Sequence, residues 1–383
     1  MIYLDNCATT KIRPEVLETM ITSLEGDFAN PSSLHSLGHQ TEKKIRKARQ
    51  ILADYLKVDE KEIYFTSGGT ESNNIAVQSI AKGLSKSGNH IITSKIEHPS
   101  ILNIMKELET KGFKVTYLGV DKYGQISLEE LENSLQDETI LIALMHVNNE
   151  IGTIEHIKEI KRIIKAKESQ ALLHVDGVQS FGKISFSLKE SDIDTFSFSS
   201  HKIHGPKGVG GLYIKKGSNL APIVFGGNQE AGLRSGTENV PGIIAFGKAV
   251  EITSLKEQEE RKHAEMLKAY TIELLEEIED IKINSKLDES FSPYILSVSL
   301  RNTRGEVLLH FLEQEEIYIS TSSACSSHGT KKSSVLKAIG LDDNDIEGTI
   351  RICFSYENTR EDIEIFASKL KKSTQEIRKI TMR

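Results

Sequence analysis

Short apolar runs recur along the first half of the chain, and polar or helical stretches separate them. EIYFTS (62–67), HIITSKI (90–96), KVTYLGV (114–120), TILIALMHV (139–147), ALLHVDG (171–177) and DTFSFSS (194–200) are each of strand length. Between them the periodicity changes to that of a helix. After residue 70, for example, Val77, Ile80, Ala81 and Leu84 fall on one face. Alternating β and α elements predict an α/β fold with a mostly parallel sheet covered by helices on both sides. Such sheets bind ligands at the carboxyl ends of their strands. From about Ser254 the texture shifts to a charged amphipathic stretch (254–280), then short strands and two further helices, which reads as a second domain joined by a long helix.

A chain of 383 residues exceeds what a single core usually supports. The pattern predicts two interleaved domains, a large one over 15–253 and a smaller α+β one from 1–14 and 254–383. The run ILIALMHV (140–147) is far too short to cross a membrane, and Met1-Ile2-Tyr3-Leu4 leads straight into structure without a signal-like segment. A net charge of -7 argues against direct nucleic-acid binding. Three cysteines with no C-x-x-C spacing argue against a metal site and for a reducing, cytoplasmic setting.

Candidate chemistry gathers where the strands end. SFSSHKIHGPKGVGG (197–211) sets Lys202 between hydroxyl residues and glycines. A lysine so placed suits Schiff-base chemistry, with hydroxyls for a phosphate and glycines for close approach to a flat cofactor. Alone, the segment reads equally as a β-hairpin with a solvated lysine. HVDGVQS (174–180) changes that, because Asp176 ends a second strand. Pyridoxal phosphate needs a lysine at its aldehyde carbon and a carboxylate at its ring nitrogen.

Other segments are weaker singly. TSGGTESNN (66–74) makes either a phosphate site at Gly69 and Thr70 or a plain capped helix. His98, in IEHPS, either stacks on a pyridine ring or serves as a structural hydrogen-bonder. Asn149, Gln179, Ser199 and His201 are similar cases. The glycine-rich loop 225–239 holds Arg234 and Thr237, and reads as a ligand or packing loop, or as a mobile surface loop. Cys325, among small polar residues, is a candidate nucleophile. Cys353 reads as a buried core thiol and Cys7 as structural. Arg351 shares a strand face with Cys353 by period-2 alternation. It holds a substrate carboxylate if that face meets the cleft, and a surface ion pair otherwise.

Together SSHK-x-x-GPKG-x-G, HVDG-x-QS, HVNNEIG, TSG-x-TES-N and RSGT resemble the cysteine desulfurases of the NifS/IscS type, pyridoxal-phosphate enzymes of fold type I. The likeness runs nearly end to end. It implies that Lys202 carries the cofactor, Asp176 pairs with the ring nitrogen and His98 stacks on the ring. Gly69, Thr70, Ser199 and His201 would hold the phosphate. Asn149 and Gln179 would contact the phenolic oxygen, and Arg351 and Asn149 the substrate. Cys325 would be the catalytic cysteine, on an extended mobile loop. Thr237 would reach the other subunit's phosphate in a homodimer. L-cysteine would be the substrate, and a scaffold protein or a thiolation enzyme the sulfur acceptor. The family pattern usually has alanine where this chain has Cys7, and the chain stops soon after its last helix, which leaves the acceptor open. The neighbouring readings are a selenocysteine lyase or a class V aminotransferase, and, from another class, a non-catalytic interaction protein.

Overall fold

A computed structural model describes residues 1–218, 220–321 and 332–381. The strands in chain order are β1 (Ile2–Tyr3), β2 (Ile63–Thr66), β3 (His90–Ser94), β4 (Lys114–Leu118), β5 (Thr139–Met145), β6 (Leu172–Asp176), β7 (Thr195–Ser199) and β8 (Gly210–Ile214), then β9 (Ile281–Ile283), β10 (Ile295–Leu300), β11 (Ile317–Tyr318), β12 (Ser320–Thr321) and β13 (Thr349–Cys353). Seven of them form the main sheet, in the order β2-β8-β7-β6-β5-β3-β4. Neighbours from β4 through β7 are parallel, and β8 runs antiparallel to both β2 and β7. All seven residues of β5 are buried, as expected where helices cover both faces. This is the α/β architecture the apolar runs predict.

A second sheet, β12-β13-β10-β9, is antiparallel, and β1 pairs with β11 in parallel beside it. Its core joins Ile2, Leu4 and Cys7 to residues from the last third of the chain, such as Leu296, Ile352 and Phe366. The amino terminus therefore folds with the carboxyl-terminal part.

One helix links the two cores. Val240–Leu275 is continuous over 36 residues, about 54 Å at the usual rise. Ile243, Phe246 and Val250 pack into the core of the large sheet, and Ala264, Leu267 and Leu275 into that of the small one. The charged stretch that begins at 254 lies in the middle of this helix, in keeping with the long joining helix the pattern predicts. Polar bonds hold it there, from Tyr55 Oη to Glu257 at 2.7 Å and from Arg13 to Glu260. After residue 300 the described residues hold four helices instead of two. The additions, Ser334–Ala338 and Asp343–Glu347, are five residues each, too short to leave a periodic signal. Among the described residues no helix is long and apolar enough to cross a membrane.

Candidate active site

The carboxyl ends of β2, β3, β5, β6 and β7 open into a cavity of about 520 Å³, which the small sheet closes from the far side through Ser320 and Arg351. Of the residues predicted for the site, Gly69, Thr70, His98, Asn149, Asp176, Gln179, His201, Lys202 and Arg351 all line it. Ser199 is fully buried at the end of β7 and lies beside them. Thr237 is exposed and does not line the cavity of its own chain. Cys325 lies outside the described residues.

Lys202 sits just past β7, in the connection to β8. The hairpin alternative is thus half right: the strands pair, but the lysine is only 9% exposed. Its Nζ donates to the carbonyls of Cys7 and of Ala8, the latter at 2.8 Å. Burial is the main cause that brings its pKa down to about 8; the Cys7 thiolate opposes the shift, and the Lys183 and Arg351 charges add to it. A lysine in this state loses its proton near neutral pH and becomes a nucleophile.

Asp176 ends β6. Its Oδ2 accepts from Asn73 Nδ2 at 2.8 Å and its Oδ1 from the Val178 N–H at 3.0 Å. Asn73 is itself held by a buried relay. His174 Nε2 donates to Asn73 Oδ1 at 3.0 Å, and its Nδ1 lies 2.9 Å from Thr195 Oγ1. Burial pulls His174 down to about 4, so it is neutral and carries its single proton on Nε2.

Asn73 Nδ2 also donates to Ser100 Oγ at 2.8 Å, and that hydroxyl lies 2.8 Å from His98 Nδ1. His98 caps the helix Pro99–Thr110 by accepting the Ser100 N–H on Nδ1 at 3.1 Å. A backbone N–H can only donate, so the neutral ring carries its proton on Nε2. Burial lowers its pKa, against the pull of Asp176 and with the push of Lys202.

The start of the helix Gly69–Leu84 forms another wall. A Cβ on Gly69 would stand 2.4 Å from Val178 Cγ2, and one on Gly210 would stand 2.6 Å from Gly68 Cα. Only glycine permits both approaches. Ser199 Oγ, about where a Cβ on Gly68 would meet it at 3.8 Å, is buried with no partner. Ser200 Oγ and Gln179 Oε1 are buried and unpartnered too. His201 is held down to about 4 by burial and by the charges of Lys202, Lys207 and Lys183.

On the opposite side Arg351 is 5% exposed. Its Nη1 donates to Asn149 O and its Nη2 to Asp5 Oδ1, both at 2.9 Å, while its Nε is buried without a partner. Asp5, Asn73 and Ser100 are site residues the sequence reading passed over. Asn73 had a signal: it lies one helical turn beyond Gly69 and Thr70, on the same face. Cys7, read as structural, lines the cavity. The loop 225–239 is pinned rather than loose. Glu230 receives Arg49 at 2.7 and 2.8 Å and the Phe65 N–H at 2.9 Å, and Arg234 Nε donates to Glu71 at 3.0 Å.

These residues fit pyridoxal phosphate. A depressed lysine and an oriented carboxylate share one cavity, and orphaned hydroxyls with a helix amino terminus stand where a phosphate would accept hydrogen bonds. Among the described residues no cluster of metal-binding side chains is present.

Comparison with known proteins agrees. The class V aminotransferase family matches residues 2–366. A protein named cysteine desulfurase IscS in Methanosarcina thermophila is 43% identical over 380 residues, 99% of this chain and 93% of that protein. A NifS/IcsS protein homolog of Lactobacillus delbrueckii subsp. bulgaricus is 45% identical over 383 residues, 99% of each chain. A solved structure described as a NifS-like protein superposes with a TM-score of 0.92 at 42% identity, covering 97% of this chain and 98% of its own.

Proposed function

The chain belongs to the class V aminotransferase family, as a pyridoxal-phosphate-dependent cysteine desulfurase, and we propose that it removes sulfur from L-cysteine by way of Cys325. The observation that carries this reading is the shared cavity of Lys202, Asp176, His98 and Arg351.

When bound, the cofactor supplies an electron sink for bond breaking next to the substrate amine. The Lys202 amine would hold the cofactor aldehyde and, when free, would move a proton at the substrate's alpha carbon. Asp176, fixed by Asn73 and the Val178 N–H, would present its carboxylate to the ring nitrogen. His98 would offer its neutral imidazole to the ring. Gly69, Thr70, Ser199 and His201 would hold the phosphate, and Asn149 and Gln179 the phenolic oxygen. Arg351 takes the substrate carboxylate; its free Nε and its fixed guanidinium plane support that role.

The Cys325 thiolate attacks the substrate sulfur. The carbon–sulfur bond breaks, the sulfur stays on Cys325 as a persulfide, and the three-carbon product is protonated to L-alanine. Cys325 follows Ser320 by five positions, and Ser320 lines the cavity; a chain of that length reaches at most about 18 Å. The persulfide then passes to an acceptor protein, either a scaffold for iron–sulfur cluster assembly or a tRNA or cofactor thiolation enzyme. The enzyme acts as a cytoplasmic homodimer in which Thr237, exposed on its own chain, reaches the partner's phosphate. Reduction of the loaded protein with borohydride, followed by peptide mapping, tests the assignment of the cofactor. The pyridoxyl group is expected on Lys202, and its attachment elsewhere would overturn the site.

A further inference from the structure

The segment HVNNEIGT carries two asparagines, and only the second, Asn149, lines the cavity. Asn148 is 1% exposed and has every polar group in use. Its N–H donates to Thr153 O at 2.9 Å, and its carbonyl accepts the Gly152 N–H at 3.0 Å. Its Oδ1 accepts two more N–H groups, from Glu150 at 2.9 Å and from Ile151 at 3.0 Å. Those bonds close the turn 148–153 on itself, as an asparagine commonly does.

The amide nitrogen makes a contact that a turn does not require. Asn148 Nδ2 donates to Ile96 O at 3.1 Å, across 52 positions of sequence, and lies 3.2 Å from Sδ of Met145, a cavity residue. Ile96 leads to His98 two residues on. The same stretch is held at its start, where Ser94 Oγ donates to Glu97 Oε1 at 2.6 Å and accepts the Ile96 N–H at 3.3 Å. One side chain thus ties the end of β5 to the end of β3. On the other side of it, the Asn149 carbonyl accepts from Arg351 Nη1 at 2.9 Å. Ile96 and Ile151 are buried in one apolar cluster with Val335 and Leu336, which keeps water from competing for the tie.

We propose that Asn148 is a positioning residue for the reaction: it sets the distance between His98, at the ring face, and Asn149, at the phenolic oxygen, and with it the seat of Arg351. The role rests on pyridoxal phosphate occupying the cavity. Aspartate in this place would keep the acceptor and lose the donor. Serine can close the turn but is too short to reach Ile96 O.

Three variants loaded with pyridoxal phosphate separate the two jobs of the side chain. Asn148→Ala loses both, and Asn148→Ser keeps an acceptor for the turn. Tyr55→Phe, outside the cavity, lowers stability through the lost bond to Glu257 and serves as control. The first readout is the pH midpoint of the visible absorbance of bound cofactor. A donor at the phenolic oxygen favours its ionised form and lowers that midpoint. Moving Asn149 off it raises the midpoint by up to about one unit, the worth of one hydrogen bond. The second readout is KM for L-cysteine, which reports the seat of Arg351. In Asn148→Ala the midpoint should rise and KM should grow roughly 5- to 10-fold. Asn148→Ser should bring KM back to within about twofold and leave the midpoint raised. Tyr55→Phe should move neither. A midpoint in Asn148→Ser equal to that of the unsubstituted protein would overturn the tie to Ile96 O, and that variant suffices if Asn148→Ala does not fold. An equal shift in Tyr55→Phe would reduce the role to general loosening and overturn it as well. If the unsubstituted protein takes up no pyridoxal phosphate on Lys202, the functional reading fails first, and this role with it.

Discussion

Asn73 Nδ2 donates to Asp176 Oδ2 at 2.8 Å, and through Ser100 the same amide fixes His98. The carboxylate meant for one edge of the cofactor ring and the imidazole meant for its face therefore share one anchor. Asn73 is 1% exposed, with His174 holding its other end.

Asn73→Ala should weaken cofactor binding about tenfold or more, because a buried carboxylate left short of a donor costs roughly 1–3 kcal/mol. Titration of the cofactor-free variant with pyridoxal phosphate measures this. A dissociation constant equal to that of the unsubstituted enzyme would show that Asp176 needs no such anchor.

Lys202 has a pKa of about 8 in the cofactor-free protein. Its amine is protonated and unreactive below that pH and free above it. The rate of cofactor capture, followed by absorbance, should climb from pH 7 and level off somewhat above 8. An ordinary lysine would leave the rate still climbing near pH ~10. Lys202→Arg should bind the cofactor without covalent attachment.

Removing Arg351 should act on the substrate and spare the cofactor. Arg351→Ala is expected to raise KM for L-cysteine roughly 10- to 100-fold, the worth of a bidentate charged contact, with the cofactor spectrum retained. Asp5→Asn should do the reverse at some cost in Tm. It removes the carboxylate now paired with Nη2, leaves the guanidinium less satisfied, and lowers KM.

Glu230→Ala tests the pinning of the loop that carries Thr237. The glutamate is 9% exposed and takes both Arg49 nitrogens and the Phe65 N–H. Losing it strips the half-buried Arg49 guanidinium of its carboxylate, leaving it the Ile63 carbonyl, and leaves the buried Phe65 N–H without an acceptor, at a cost of about 1–3 kcal/mol. A thermal melt should drop by several degrees, and an unchanged melt would mean that the loop is held by other contacts.

Much of the site was legible because strand ends announce themselves. An apolar run that stops at His98, Asn149, Asp176 or Ser199 fixes which residues face a common rim. Lys202 and Asp176 needed only that rule and the chemistry of one cofactor. Contacts made across long sequence separations were not legible. No local pattern tells that Leu4 and Asp5 lie against Cys353, or that Asp5 pairs with Arg351, because these segments stand about 350 positions apart and meet only in the second core. The joining helix was legible only in its charged half, because the part before residue 254 is apolar and its packing partners come from the first half of the chain.

The most direct test is alanine formed from L-cysteine by the purified, cofactor-loaded protein with a reductant, beside Cys325→Ser. The account predicts alanine and sulfide in matching amounts from the enzyme, and almost none from the variant, which should still bind the cofactor and substrate. Full alanine formation by Cys325→Ser would contradict it.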